Sequence, residues 1–237
     1  MNRIKTEYLL KGLSLLGYDA INLCDRDFSL GGKFLTAMQS KYRLPFVSAN
    51  IYYQDRDKLF VQSHIVKHWG GKKSSGRRGG DIKIGILGVT SERRDLINPD
   101  LKESPLEAKN PVQVAAHLVP ELRKKCDLIV VLAHLVPMQT QSLAEQVPGI
   151  DVIITGGSSL QAVPQLVNGC LILQSESQGK YVGDLQIQLD EGKNKVSHAG
   201  SLVPLDEKLP DDTAFVELVT EYKEALKKMT QTLRTGK

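Results

Sequence analysis

Leu128-Ile-Val-Val-Leu132 is the stretch that decides the fold. A strand with one solvated face alternates apolar and polar residues. One that is apolar at every position has both faces covered, as the central strand of a layered sheet does. The same signature recurs on either side, at Ile82 to Val89 (IKIGILGV) and at Val152-Ile-Ile154. Helical patterns separate these runs. Asn110-Pro111 is a helix start, with asparagine as cap and proline in the first turn, and the helix extends to about Lys125. Pro120 is expected to kink or split it. A short helix is expected over 139–147. Strands alternating with helices place the chain among α/β folds with a mixed sheet or two packed sheets.

Upstream, Ile4, Tyr8, Leu9, Leu13 and Leu16 recur at helical spacing over residues 4–16, and Gly17 ends the helix. A short strand is expected at Asp19-Ala-Ile-Asn-Leu23, then a polar turn over Cys24-Asp25-Arg26-Asp27. A helix over 30–40 and a strand at Pro45-Phe-Val-Ser-Ala-Asn50 follow. Residues 59–69 (LFVQSHIVKHW) are extended, and GGKKSSGRRGG, residues 70–80, reads as a mobile hairpin tip or surface loop with nothing to bury. Downstream, Leu171-Ile-Leu173 is a strand. The alternating run Asp184-Leu-Gln-Ile-Gln-Leu189 turns at Glu191-Gly192 into a partner strand over 195–205. Asp212 caps a last helix with the apolar stripe Phe215, Leu218, Val219, Tyr222, Leu226 and Met229, and residues 230–237 are expected to fray. No linker divides the chain, so a single domain over 1–237 is expected.

Composition narrows the class. With 237 residues, 41% hydrophobic and 24% charged, the chain has the make-up of a globular α/β domain rather than a disordered or fibrous one. The net charge of +4 gathers at Lys72, Lys73, Arg77 and Arg78 and in the C-terminal helix. No aromatic-interleaved basic face accompanies it, so nucleic acid is not an expected partner. No apolar run is long enough to span a bilayer, and no signal peptide is visible. Cys24, Cys126 and Cys170 are far apart, lack metal-type spacing, and read as small hydrophobes; a disulfide is open to them, but nothing in the sequence argues for one.

Several short blocks occur in a fixed order: Leu16-Gly-Tyr-Asp-Ala20, Leu23-Cys-Asp-Arg-Asp-Phe28, Ser48-Ala-Asn50, Lys83-Ile-Gly-Ile-Leu-Gly88, Val119-Pro-Glu-Leu-Arg123, Val130-Val-Leu-Ala-His134, Asp151-Val-Ile-Ile-Thr-Gly-Gly-Ser-Ser-Leu160 and Gly179-Lys-Tyr-Val-Gly183. Taken together these resemble the 5′-nucleotidase branch of the calcineurin-like metallophosphoesterases over roughly residues 8–225. The resemblance implies a layered sandwich of mixed β-sheets flanked by helices, with the family's first strands, which carry its D-x-H and G-D metal ligands, falling before residue 1. It also implies a family that is often periplasmic or extracellular.

The resemblance implies a two-metal phosphoric ester hydrolase centre, in which paired divalent ions clamp the phosphate and generate hydroxide. This chain departs from it. Asp25 stands where the family has a metal-binding asparagine and could bind a hard cation through oxygen. Arg26 stands at the family's catalytic histidine position, where it can hold phosphate but cannot donate a proton near neutral pH. His134 stands at a lone-histidine ligand position. The turn that should carry two histidines is Gly157-Ser158-Ser159-Leu160, whose Gly157, Ser158 and Ser159 could hold an anion through backbone N–H groups. Each has an ordinary alternative: a solvated turn for 25–27, a hydrogen-bonded strand-end residue for His134, a tight turn for 157–159. No catalytic residue is therefore assigned, and no cofactor is expected unless the chain is active, when it would use Mn, Zn or Mg. The expected function is a degenerate, non-catalytic 5′-nucleotidase-like domain that binds a partner or ligand. The alternative is a metal-dependent phosphohydrolase completed by an N-terminal segment from another chain or a longer precursor. A protein partner or self-association is expected to cover the sheet edge.

Overall fold

A computed structural model describes residues 2–72, 78–156, 164–174, 179–190, 192 and 195–235. In chain order the elements are α1 (Asn2–Leu16), β1 (Ile21–Asn22), a 3₁₀ helix (Asp25–Leu30), α2 (Gly32–Tyr42), β2 (Phe46–Val47), β3 (Ile51–Tyr53), β4 (His64–Lys72), β5 (Arg78–Thr90), a 3₁₀ turn (Pro99–Leu101) and β6 (Leu106–Ala108). Then come α3 (Pro111–Arg123), β7 (Leu128–His134), α4 (Pro137–Gln146), β8 (Val152–Thr155), β9 (Gln165–Val167), β10 (Cys170–Gln174), β11 (Tyr181–Leu189), β12 (Lys195–Pro204) and α5 (Thr213–Thr235).

The apolar run at 128–132 is indeed central. It lies in a six-stranded mixed sheet of order β4-β5-β7-β8-β10-β9. β5, β7, β8 and β10 run parallel, and the outer pairs β4–β5 and β9–β10 are antiparallel. Successive side chains leave a strand on opposite faces, and the two faces of this sheet fare differently. Ile129, Val131 and Ala133, with Leu87, Val89 and Ile153, pack against Ala115, Val119 and Leu122 of α3 and Leu143 and Ala144 of α4. Each large side chain fully withdrawn from water there contributes about 1.5–3 kcal/mol. On the other face Val130 and Leu132 are half-buried and Ile154 is 41% exposed. The expectation that both faces are covered therefore holds fully for one face only.

What covers the second face comes in separate pieces, each a two-stranded ladder. Parallel β1–β2 sits over β5: Asn22 Nδ2 donates to the Val89 carbonyl at 2.8 Å, and Ala49 N donates to the Gly88 carbonyl at 2.7 Å. Antiparallel β11–β12 sits over the far side, where Gly200 lies against Pro164 and Leu173 and Lys195 Nζ reaches the Asp151 carbonyl at 3.2 Å. A third ladder, β3–β6, closes a second core formed by Leu23, Phe28, Phe34, Leu35, Phe46, Ile51 and Leu106 with α1 and α2. α5 packs on α1, with the Tyr8 and Tyr222 rings 5.5 Å apart and Lys11 paired to Glu221.

Several expectations need correction. Pro120 does not split α3, which is continuous from Pro111 to Arg123. Proline removes the N–H that would bond the carbonyl of Ala116, but both residues are exposed, so water can serve that carbonyl. The Asn110 cap is as expected, its Oδ1 accepting from Val112 N and Gln113 N at 3.1 Å each. The turn at 24–27 is instead the start of a 3₁₀ helix. The strands expected at 19–23 and 45–50 shrink to two residues each, because Ser48 to Asn50 are spent on cross-links to neighbouring elements rather than on a ladder. The basic loop is shorter than 70–80: Lys72 pairs with Arg78 across the β4–β5 hairpin, and residues 73–77 lie outside the described residues. α5 continues to Thr235, through residues whose polar composition suggests a tail. Among the described residues no helix is long and apolar enough to cross a membrane.

Candidate functional site

Parallel strands present their carboxyl ends on one side of the sheet, and ligands in α/β folds gather there. His134 is the last residue of β7. Its backbone is fixed by pairing with Thr90 and by Ser91, whose N–H donates to the His134 carbonyl at 3.0 Å. Two residues beyond the end of β1, after fully buried Leu23, the backbone stays extended at Cys24 and then tightens into the 3₁₀ helix at Asp25. Asp27 fixes this corner by accepting from Cys24 N at 2.7 Å.

Because β1 lies over β5 and β7, this corner and the end of β7 meet. The sulfur of Cys24, a carboxylate oxygen of Asp25 and a ring nitrogen of His134 all lie within 4.8 Å of one another. Asp25 Oδ1 is 3.8 Å from His134 Nε2, while Asp25 Oδ2 accepts from Arg93 Nη1 at 2.8 Å. All three donors are half-buried, so the cluster is open to solvent on one side. Burial, reinforced by the negative charge of Asp27, pushes the Cys24 thiol up to about 12. Without a cation beside it the sulfur stays protonated at neutral pH.

Asp25 and His134 are thus brought together across more than a hundred residues of chain, as the resemblance implies. Cys24 was the residue missed. Flanked by Leu23 and the strand before it, it reads as a small hydrophobe, and only its adjacency to Asp25 hints otherwise. Arg26 is exposed on the 3₁₀ helix. Gly157, Ser158 and Ser159 lie outside the described residues. His64 and His68 sit on β4, where His68 Nδ1 is 3.0 Å from Asp81 Oδ2. His117 bonds the Gln113 carbonyl within its own helix, at 2.8 Å. None of these three histidines joins the cluster.

The donor chemistry fits one metal ion. Bonds of about 2.0–2.3 Å to nitrogen, oxygen and sulfur place tetrahedral ligand atoms roughly 3.3–3.8 Å apart, so small side-chain rotations would close three such atoms on one ion. It does not fit a pair, which needs several donors for each of two ions roughly 3.5–4 Å apart. Among the described residues no other group of three such side chains comes together. A separate cavity of about 450 Å³ lies beside α2, lined by Phe60, Ile97, Arg56 and Glu103, and shares none of the three donors. The Glu103 carboxylate already accepts from the backbone N–H of Lys33 there, at 3.0 Å.

Comparison with known proteins gives this geometry a context. No family model matches the chain. The 5′-nucleotidase of Vibrio cholerae is 28% identical over 231 residues, an alignment covering 83% of this chain and 39% of that protein. The crystal structure of a 5′-nucleotidase precursor from Thermus thermophilus superposes with a TM-score of 0.77 at 25% identity, covering 97% of this chain and 47% of the other. The chain is similar in sequence and fold to 5′-nucleotidases over part of their length. The calcineurin-like phosphoesterase YfkN of Bacillus subtilis, at 20% identity and a TM-score of 0.76, shares the fold over 94% of this chain and 76% of its own. This 5′-nucleotidase-like chain spans about two fifths of the length of the curated relatives it matches. Its mixed sheet flanked by helices is the architecture that the resemblance implies.

Proposed function

We propose that this 5′-nucleotidase-like domain does not hydrolyse phosphate esters with its own residues and acts by binding a protein partner. The observation that carries this reading is the donor set. Three side chains converge at one point, Asp25 is already engaged by Arg93, and the turn where the resemblance puts two imidazoles offers two hydroxyls and an alkyl group at Ser158, Ser159 and Leu160. Arg26 cannot replace an imidazole as proton donor near neutral pH. Groups that act as a unit in catalysis fail together rather than by degrees.

The binding half of the reading rests on the sheet. Over β7 and β8 the second face is covered at Leu128 and Val152 but left partly open toward its carboxyl end, where Leu132 is half-buried and Ile154 is 41% exposed, and among the described residues the β1–β2 and β11–β12 ladders each pair only within themselves. An extended segment with alternating apolar residues matches such a strip by adding a strand, main chain to main chain. The same strip favours a second reading, a metal-dependent phosphohydrolase completed by a strand from another chain or a longer precursor.

Turnover separates the two. Nucleoside monophosphates and p-nitrophenyl phosphate would be assayed with added manganese, zinc or magnesium, beside His134→Ala. No hydrolysis above that of the variant is expected. Hydrolysis that His134→Ala abolishes would overturn the non-catalytic reading. Hydrolysis that appears only when a strand-bearing fragment is added would establish the second.

A further inference from the structure

We propose that Cys24, Asp25 and His134 bind a single thiolate-ligated transition-metal ion of the zinc class, with a fourth coordination position left to solvent. The three donors come from two rigid sources. Cys24 and Asp25 follow β1 on a corner locked by Asp27, which accepts from Cys24 N, while Asp27 N donates to the Cys24 carbonyl at 3.2 Å. His134 ends β7 and is held by Thr90 and Ser91. Arg93 occupies one oxygen of Asp25 and so leaves the other, 3.8 Å from His134 Nε2, to face the cluster. A partner of this kind on a ligating carboxylate fixes its orientation.

The donor types select the ion. Magnesium, calcium and manganese favour cages of oxygen, whereas a sulfur, an imidazole nitrogen and a single carboxylate oxygen suit zinc, cobalt or a comparable soft-to-borderline ion. Binding exchanges the thiol proton for the metal: the S–H bond breaks, the proton leaves to solvent, and sulfur donates its pair to the cation. Thiolate and carboxylate together neutralise the two charges of the ion, and the half-exposed side leaves room for water or a small anion.

The test reads the metal and not turnover. The purified chain, dialysed against cobalt(II), should take up one equivalent and show a near-ultraviolet sulfur-to-cobalt charge-transfer band with visible bands of four-coordinate intensity. Cys24→Ser should lose the charge-transfer band and weaken zinc binding by at least the roughly 10–100-fold that loss of an outer partner costs. Cys126→Ser, at a buried cysteine of the main core, should change neither. Uptake of two ions, absence of stoichiometric uptake, or a charge-transfer band that survives Cys24→Ser would overturn the proposal. If Cys24→Ser proves unfolded by circular dichroism, alkylation of Cys24 in the unmodified chain decides instead: zinc should protect it, and an unprotected Cys24 refutes the site. These readouts stand apart from the hydrolysis assay, so the two proposals can fail separately.

Discussion

Asn50 shows how much one buried amide can hold. Its Nδ2 donates to the carbonyls of Thr90 and Lys109, each at 2.7 Å, and its Oδ1 accepts from Thr90 N at 3.0 Å. Those bonds fasten the corner after β2 to the end of β5, whose Thr90 is paired with His134. Asn50→Ala leaves buried donors and acceptors unpaired, so a loss of roughly 3 kcal/mol in urea-denaturation stability is expected. The block Ser48-Ala-Asn50 was legible as a landmark of the resemblance, but not as this clip, because nothing in the local pattern names partners so distant in the chain. The same limit hid Cys24: a thiol beside a buried strand looks like packing until topology sets an imidazole next to it. A second residue-scale prediction concerns acid. Burial, with the positive charge of Lys125, holds His64 below the ordinary imidazole range. The unfolded chain therefore binds this proton first, so stability present above about pH 6.5 falls as the pH drops through that value toward the folded pKa. Urea midpoints measured at about pH 7.5 and 5.5 should differ more for the unmodified chain than for His64→Gln.

At the scale of elements, the legible parts were those with strong periodicity or strong caps. The central strands, α3 with its Asn110 cap, and α5 with Asp212 bonding Ala214 N at 2.8 Å follow from pattern alone. Strand lengths at β1 and β2 did not, because two residues of ladder leave too little pattern to bound. Nor did β3, β6 and β9, each three residues long. Their pairing depends on contacts with distant chain. Gly88 reveals why β1–β2 can lie so close over β5. A Cβ there would sit 2.2 Å from Asn22 Oδ1 and 2.8 Å from the Val47 carbonyl, and the second of these is backbone that cannot swing aside. Gly88→Ala should thus cost about 1–3 kcal/mol by overpacking. It should also displace the corner carrying Cys24 and Asp25, read as faster hydrogen exchange in residues 21–27. Gly88→Ala with unchanged stability and exchange would mean that the two layers are not in the contact described.

For the whole molecule, the layered arrangement came from the resemblance, since periodicity names strands without ordering them. What periodicity could not announce is that one face of the sheet stays partly open. Leu128 to Leu132 is apolar on both sides, which pattern equates with full cover, yet Ile154 opposite Leu132 keeps 41% of its surface exposed. An apolar strip at the carboxyl end of the sheet, between two ladders that among the described residues pair only within themselves, has the chemistry of an acceptor for a strand, and this can be separated from a role in folding. Because Ile154 is far from fully buried, Ile154→Lys should cost only about 1 kcal/mol in thermal or urea unfolding, well short of the roughly 2–5 kcal/mol of a core truncation. The lysine would nevertheless put a charge in the middle of the strip and oppose any apolar strand laid across it. Binding of an extended partner segment, followed by hydrogen-exchange protection over β1 and β11, should be lost in Ile154→Lys and kept in Leu166→Lys, whose exposed side chain lies on β9 at the sheet's outer edge. Equal binding by both variants would remove the strip from any account of what this domain recognises.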